Sequence, residues 1–306
     1  MAARDQAQRT RELVAGRLRS GGTDWRGVAI EGLLLLSLLA SLAVLVVLLA
    51  DTVVKALPVL ADRPLEFLGS PLSARPERAG IVQAVIGSVT VTLVVVVIAL
   101  PLGIGAAVYL EEYARDTRWA RLIRTNIRNL AGVPAIVYGL LGLAVFSTAL
   151  GLGSTALVGG LTLATLVLPI VVITTMEALS AVPVAIREAA YGVGATRWET
   201  IRSHVLPYAA PGILTGTILS LARAFGETAP LLMVGAIAGT FSFVGAPWDQ
   251  LVAGYTTLPT IVFHWAGYPQ ADYRALGAAA IVVLLGVILL ANATAIVLRN
   301  RYDRRW

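Results

Sequence analysis

Cysteine is missing from all 306 residues, which excludes disulfides, thiolate metal sites and cysteine nucleophiles. Charge is scarce. Asp, Glu, Lys and Arg make up 14% of the chain, where a soluble domain carries roughly 25%, so the solvent this chain is built for is lipid. Histidine occurs twice, as His204 and His264, in segments expected on opposite sides of the membrane. That leaves no two-histidine metal site. There is no Gly-x-Ser-x-Gly elbow and no Gly-x-x-x-x-Gly-Lys-Ser/Thr phosphate loop, so neither a membrane hydrolase nor ATP chemistry within this chain is expected. Long polar stretches that would make a soluble domain are absent as well.

Apolar residues are abundant: 57% of the chain. About 20 consecutive ones cross a bilayer. Six runs qualify, Val28–Ala50, Ile81–Leu110, Leu130–Leu150, Ala156–Met176, Ala209–Ala238 and Leu276–Leu298, which predicts an all-α, six-span membrane protein. The second and fifth runs are long enough to tilt or bend, with Pro101 and Pro230 at the expected kinks. The net charge of +6 does not gather in one patch, so a nucleic-acid partner is not expected. Outside the spans, Lys and Arg divide 18 to five between alternate connections. The positive-inside rule then puts both termini, and the segment between the fourth and fifth spans, in the cytoplasm of a protein in the cytoplasmic (inner) membrane. The implied organisation is a cytoplasmic tail over 1–27, a first span and extracytoplasmic loop over 28–80, a core over 81–298 and a cytoplasmic tail over 299–306. The first run and its leading tail are too long for a signal peptide; the tail reads as a solvated anchor.

Between the fourth and fifth runs lies REAAYGVGATRWETIRSHVLP, Arg187 to Pro207. Glu188-Ala189-Ala190-Tyr191 reads as helix, interrupted by Gly192-Val193-Gly194 because glycine takes positive φ readily. Thr196 with Glu199 three residues on is a capping box. It predicts a second short helix from Thr196 to about Val205, stopped by Pro207. Trp198, Ile201 and Val205 share one face of that helix, with Arg197, Glu199 and Arg202 elsewhere. A simple connection needs only about two to eight residues. The pattern leaves two readings open: a helix resting on lipid headgroups, or a docking element for a cytoplasmic partner.

The stretch LARAFGETAPLLMVGA, Leu221–Ala236, puts Arg223 and Glu227 inside the fifth run. A charge at that depth costs about 2.5–3.5 kcal/mol. Their spacing places both on one helix face; Gly226 leaves room beside them, Thr228 offers a hydroxyl and Pro230 ends regular backbone bonding. Again two readings stand. The pair neutralises itself and fixes packing, or it faces a translocation cavity. In the second, the planar guanidinium of Arg223 binds an oxyanion through parallel hydrogen bonds. Glu227 then holds Arg223 while the site is empty and opposes tight binding. Elsewhere, Gly239–Tyr273 carries Trp248, Tyr255, Trp265, Tyr268 and Tyr273. Leu251–Trp265 within it is expected to be a short interfacial helix that receives a binding protein, or a filler packed on the bundle. Asp51–Ala79 reads as a docking loop, Glu177 as meeting headgroup water and Glu31 as structural.

The segment EAAYGVGATRWETIRSHVLP resembles the EAA loop of ABC-importer permeases: Glu-Ala-Ala, three residues, Gly, nine residues, Ile, one residue, Leu-Pro. Glu188, Ala189, Ala190, Gly194, Leu206 and Pro207 fall in register, and His204 takes the usual Ile place. The resemblance implies that this loop inserts into a groove on an ATPase subunit, with Thr196 and Glu199 shaping it. ARAFGETAPLL resembles the signature of phosphate-specific ABC permeases, and LPTIVFHWAGYP, GAAAIVVLLGVILLANATAIVLRNRY and ALPLGIGAAVYLEEYA are similar to the PstA type. The likeness covers Ile81 to Tyr302. It implies a type I importer (MetI-like) fold, phosphate as substrate, and Arg223, Glu227 and Thr228 along its pathway. It also implies a PstC-like permease, a PstB-like ATPase dimer that binds ATP and Mg, and a PstS-like extracytoplasmic phosphate-binding protein. This chain is expected to bind no cofactor and to hold no catalytic residue. The rivals are a permease for another oxyanion, such as phosphonate or molybdate, and a stand-alone secondary anion transporter.

Overall fold

Apolar runs in lipid must satisfy their backbone internally, so they fold as helices. The computed structural model describes residues 25–237 and 249–303, and every regular element among them is helical. The tail before Trp25, the start of the aromatic connection including Trp248, and residues 304–306 lie outside the described residues.

Helix α1 is Trp25–Asp62. Its 38 residues span about 57 Å, well past the expected end at Ala50. Up to Asp51 it forms a unit of its own; from Thr52 it belongs to a larger unit with the rest of the chain. The expected loop Asp51–Ala79 is folded rather than open. After α1 come α2 (Pro64–Gly69) and a 3-10 turn (Pro76–Arg78), and Phe67, Leu72 and Ala79 are buried. Helix α3 (Val82–Val108) passes through Pro101 and ends in a wide π turn, Tyr109–Tyr113. Then follow α4 (Arg118–Ala131), α5 (Ala135–Gly142) with its π turn Leu143–Ala149, and α6 (Ala156–Ser180). The chain continues through α7 (Val184–Gly192) and α8 (Arg197–Thr200), a π turn Ile201–Val205, and α9 (Leu206–Gly226). The last elements are α10 (Ala229–Met233), α11 (Leu258–Ala266) and α12 (Ala271–Asp303).

Five of these helices are long and apolar enough to cross a membrane, with 118–149 a sixth candidate bent by 100°. That bend falls at the start of the expected third run, Leu130–Leu150. Gly132 and Pro134 interrupt the helix, and Val133, being followed by proline, is disfavoured in helical conformation. The carbonyl of Leu130 accepts from Val133 N at 3.0 Å and from the Tyr138 hydroxyl at 2.8 Å, which ties the corner together. The fifth run is corrected. It stops at Gly226, not Ala238, and the break falls at Glu227-Thr228, ahead of Pro230.

Helix α6 is the hub. It packs most extensively on α3 and also on α9, α5 and α4. Small residues let the backbones approach: Gly216 lies directly against Thr174, and a Cβ at Gly212 would stand 2.8 Å from Ala178 Cβ. Three apolar clusters lie along the bundle. One joins Ala56, Phe67, Ile81, Ile261, Trp265 and Leu276; a middle one joins Val95, Leu163, Val167, Ala224 and Leu231; the third joins Leu110, Leu179, Val205 and Ile213. Helix α11 belongs to the first. Leu258, Ile261 and Trp265 are buried, and Trp265 lies 6.4 Å from Phe67 and 6.3 Å from Tyr273 by ring centroid. The expected interfacial helix Leu251–Trp265 is therefore shorter, and its apolar side is packed on the bundle.

Candidate functional site

The segment after α6 folds as its sequence dictates, with one exception. Helix α7 ends at Gly192, and Gly194 takes φ +85°, a backbone region that only glycine enters without strain. The turn closes by two bonds, Ala195 N to Ala190 O and Gly194 N to Tyr191 O, both 3.0 Å. This is the Schellman pattern. The capping box forms in both directions: Glu199 N donates to Thr196 Oγ1 at 3.3 Å, and Thr196 N donates to Glu199 Oε2 at 2.8 Å.

The exception is Pro207. It does not end a helix. Leu206 N donates to Ile201 O across the π turn, so α8 runs unbroken into α9 with Pro207 in its first turn. The wide turn supplies the slack around a residue that has no N–H to give. It also changes the predicted face. Ile201 and Val205 are fully buried, while Trp198 is 54% exposed. A wide turn advances less per residue, which leaves Trp198 at the edge. The outer surface of the loop accordingly carries Glu188, Tyr191, Val193 and Trp198, all exposed, while Ala190 is buried beneath them.

Sequence reasoning missed what holds this loop to the bundle. Glu112, in the π turn that ends α3, is buried. Its Oε1 accepts from Arg187 Nη2 at 2.7 Å. The same guanidinium donates to Val182 O at 2.7 Å and Leu179 O at 2.9 Å, at and just past the end of α6. Arg197 donates to the Glu112 carbonyl and lies 5.0 Å over the Tyr113 ring. Arg124 of α4 donates to the Leu110 carbonyl and faces Glu111 at 3.8 Å. Two adjacent glutamates directly after an apolar run were the signal for this clamp. The loop, α3, α4 and α6 are thereby tied at one end of the bundle.

The charged pair lies deeper. Ala224 belongs to the middle apolar cluster, so its neighbour Arg223 stands near mid-bundle. Arg223 Nε meets Glu227 Oε1 at 3.2 Å. The two do not share a helix face as predicted: α9 ends at Gly226, and Glu227 is extended, with φ −74° and ψ 124°. The pair therefore spans a helix break. The Arg223 side chain is 50% exposed and Glu227 19%. The terminal nitrogens of Arg223 make no hydrogen bond among the described residues. A Cβ at Gly226 would meet no atom within 4 Å among the described residues. Thr228 begins α10 and its hydroxyl caps nothing. Helix α10 packs on α5, with Pro230 Cα 2.7 Å from where a Cβ at Gly139 would sit. Glu177 is exposed, and His204 and His264 lie in separate elements.

Long apolar helices around a charged helix break, with one rigid and exposed turn clamped between two of them, define a subunit that passes solutes through a bilayer. Residues 99–305 match the family of binding-protein-dependent transport system inner membrane components, and the chain belongs to that family. It is 32% identical over 250 residues to the probable ABC transporter permease protein YqgH of Bacillus subtilis, covering 78% of this chain and 77% of that one. It is 34% identical over 228 residues to the phosphate transport system permease protein PstA of Xylella fastidiosa strain Temecula1, covering 74% and 77%. It is 36% identical over 217 residues to PstA of Yersinia pestis, covering 71% of each. Its fold is similar to a chain of a bacterial alginate ABC transporter solved with its periplasmic protein, at TM-score 0.63 and 14% identity over 90% of this chain and 96% of that one. A chain of the MetNI methionine ABC transporter gives TM-score 0.55 at 18% identity, over 73% and 94%.

Proposed function

We propose that this chain is the PstA-type permease of an ATP-driven importer of inorganic phosphate. The observation that carries the reading is Arg223: a half-exposed guanidinium near mid-bundle, at a helix break, with only its Nε engaged among the described residues. A guanidinium binds a tetrahedral oxyanion through two parallel hydrogen bonds. Glu227 keeps the arginine aimed while no anion is present and weakens the hold on a doubly charged one, so release stays fast. The names of the PstA relatives support phosphate over phosphonate or molybdate.

The importer needs further chains, since this one carries no phosphate loop for ATP. A PstB-like ATPase pair binds ATP and Mg and receives the tip formed by Glu188, Tyr191, Val193 and Trp198. A PstC-like permease completes the pathway, and a PstS-like binding protein delivers phosphate from outside the cell. Both termini and the loop face the cytoplasm, as the arginine distribution requires. ATP-driven closure of the ATPases moves the loop, and the clamp at Glu112 carries that motion into α3 and α6. The test is uptake of radiolabelled phosphate by the assembled complex in proteoliposomes. Arg223→Gln abolishes uptake while ATP hydrolysis and complex assembly persist. Unchanged uptake returns the pair to a packing role, and uptake without the ATPase identifies a secondary transporter.

A further inference from the structure

Helix α4 has a surface that neither the pathway nor the loop uses. The bend of 100° at Gly132–Pro134 sets it across the direction of α5, which runs within the bundle. Helical periodicity sorts its residues into arcs. Ala120 and Ile127 turn inward onto the bundle, Ala120 buried and Ile127 partly so. Arg124 reaches the end of α3. Two arcs remain open. One carries Trp119, Ile123 and Leu130, exposed by 75%, 47% and 46%. The other carries Arg118, Arg121 and Arg128, all exposed, with the exposed Leu122 beside Arg118. Arg118 and Arg128 have no ion-pair partner among the described residues, and Arg121 has only the exposed Asp116 at 3.5 Å.

We propose that α4 lies in the plane of the membrane as an anchor for anionic phospholipid, with Trp119, Ile123 and Leu130 in the acyl boundary and Arg118, Arg121 and Arg128 on the headgroups. The charge arrangement selects this occupant: arginines on the side roughly opposite an apolar, tryptophan-bearing arc make an in-plane amphipathic helix, whose long arginine stems reach a negatively charged headgroup layer while the apolar arc meets hydrocarbon. A protein partner matched to the apolar arc would leave the arginines unpaired. The orientation across a span removes the alternative of α4 crossing the bilayer itself, which would drag four arginines through hydrocarbon.

The absence of native cysteine makes a direct test simple. The full chain carrying Ile123→Cys is labelled with an environment-sensitive nitrobenzoxadiazole and reconstituted in vesicles of phosphatidylcholine alone or with about one-third phosphatidylglycerol. Brominated lipids report contact. Strong quenching is expected, greater with phosphatidylglycerol, and co-purified lipid should hold a larger share of the anionic species than the vesicle, by up to about threefold from a one-third mixture. R118Q/R121Q/R128Q should lose both preferences, and R118K/R121K/R128K should keep them. A label at Val193→Cys, on the exposed loop, should stay unquenched in every sample, and an unchanged far-UV helix signal shows that the variants are folded. No lipid quenching at residue 123 overturns the proposal. So does quenching indifferent to phosphatidylglycerol, or shielding that arises only when an ATPase or second permease is added.

Discussion

The clamp between Glu112 and Arg187 yields a prediction with a worked magnitude. Arg187→Met keeps the apolar stem and removes the guanidinium. The Glu112 side chain, 7% exposed, is left as a buried carboxylate without its cation. Breaking a buried pair from one side costs about 3–5 kcal/mol. Arg187 is itself 18% exposed, so water reaches its side of the pair, and the lower end applies, about 3 kcal/mol. Glu112→Gln is milder. Arg187 keeps its bonds to the Leu179 and Val182 carbonyls, and the amide oxygen still accepts from Nη2, so the loss is about 1–2 kcal/mol. The double variant has no buried charge left to desolvate. It should therefore fall short of the sum of the single losses by about 1–3 kcal/mol. Reversible unfolding in mixed micelles, followed through the six tryptophans, measures all three. Additive losses, or a loss for Arg187→Met no larger than for Glu112→Gln, would refute the claim that a buried charge pair holds the loop.

Gly194→Ala forces φ +85° on a residue with a Cβ, at roughly 1–2 kcal/mol, and should speed amide exchange across 190–196 without changing the helix content. Thr196→Ala removes the hydroxyl that accepts from Glu199 N; about 1 kcal/mol of local stability is expected to go, read as faster exchange of the Glu199 amide. Gly216→Val drives a side chain into Thr174 and should destabilise by about 1–3 kcal/mol, with part of the loss recovered in Gly216→Val/Thr174→Ala. Tyr138→Phe loses the bond to the Leu130 carbonyl, worth about 1 kcal/mol, and a spin-label distance across the α4–α5 corner should broaden.

What could be read from the chain followed the strength of the local signal. A glycine at positive φ and a Thr–Glu capping box are decided by a few adjacent residues, so the loop folded as expected at Gly194 and Thr196. Apolar runs located the spans because lipid leaves the backbone no alternative to helix. Breaks within those runs were harder. Gly132-Val133-Pro134 and Gly226-Glu227 lie inside apolar sequence, and hydropathy averages across them. The π turn before Pro207 was not legible, since it is set by tertiary contacts of Ile201 and Val205. Nor was the partner of Arg187, which lies 75 residues away. The aromatic connection left an interfacial helix and a filler packed on the bundle both open, because composition cannot tell a belt facing lipid from rings buried inside; the burial of Trp265 and Tyr273 selects the second.

The unbroken path from α8 through the π turn into α9 has a mechanical meaning. Trp198 and Arg223 sit on one rod, separated by roughly 37 Å at helical rise. The backbone is continuous between them, and the π turn and Pro211 are the places where it can bend. A displacement of the tryptophan therefore reaches the guanidinium through one run of helix, with no loop between them.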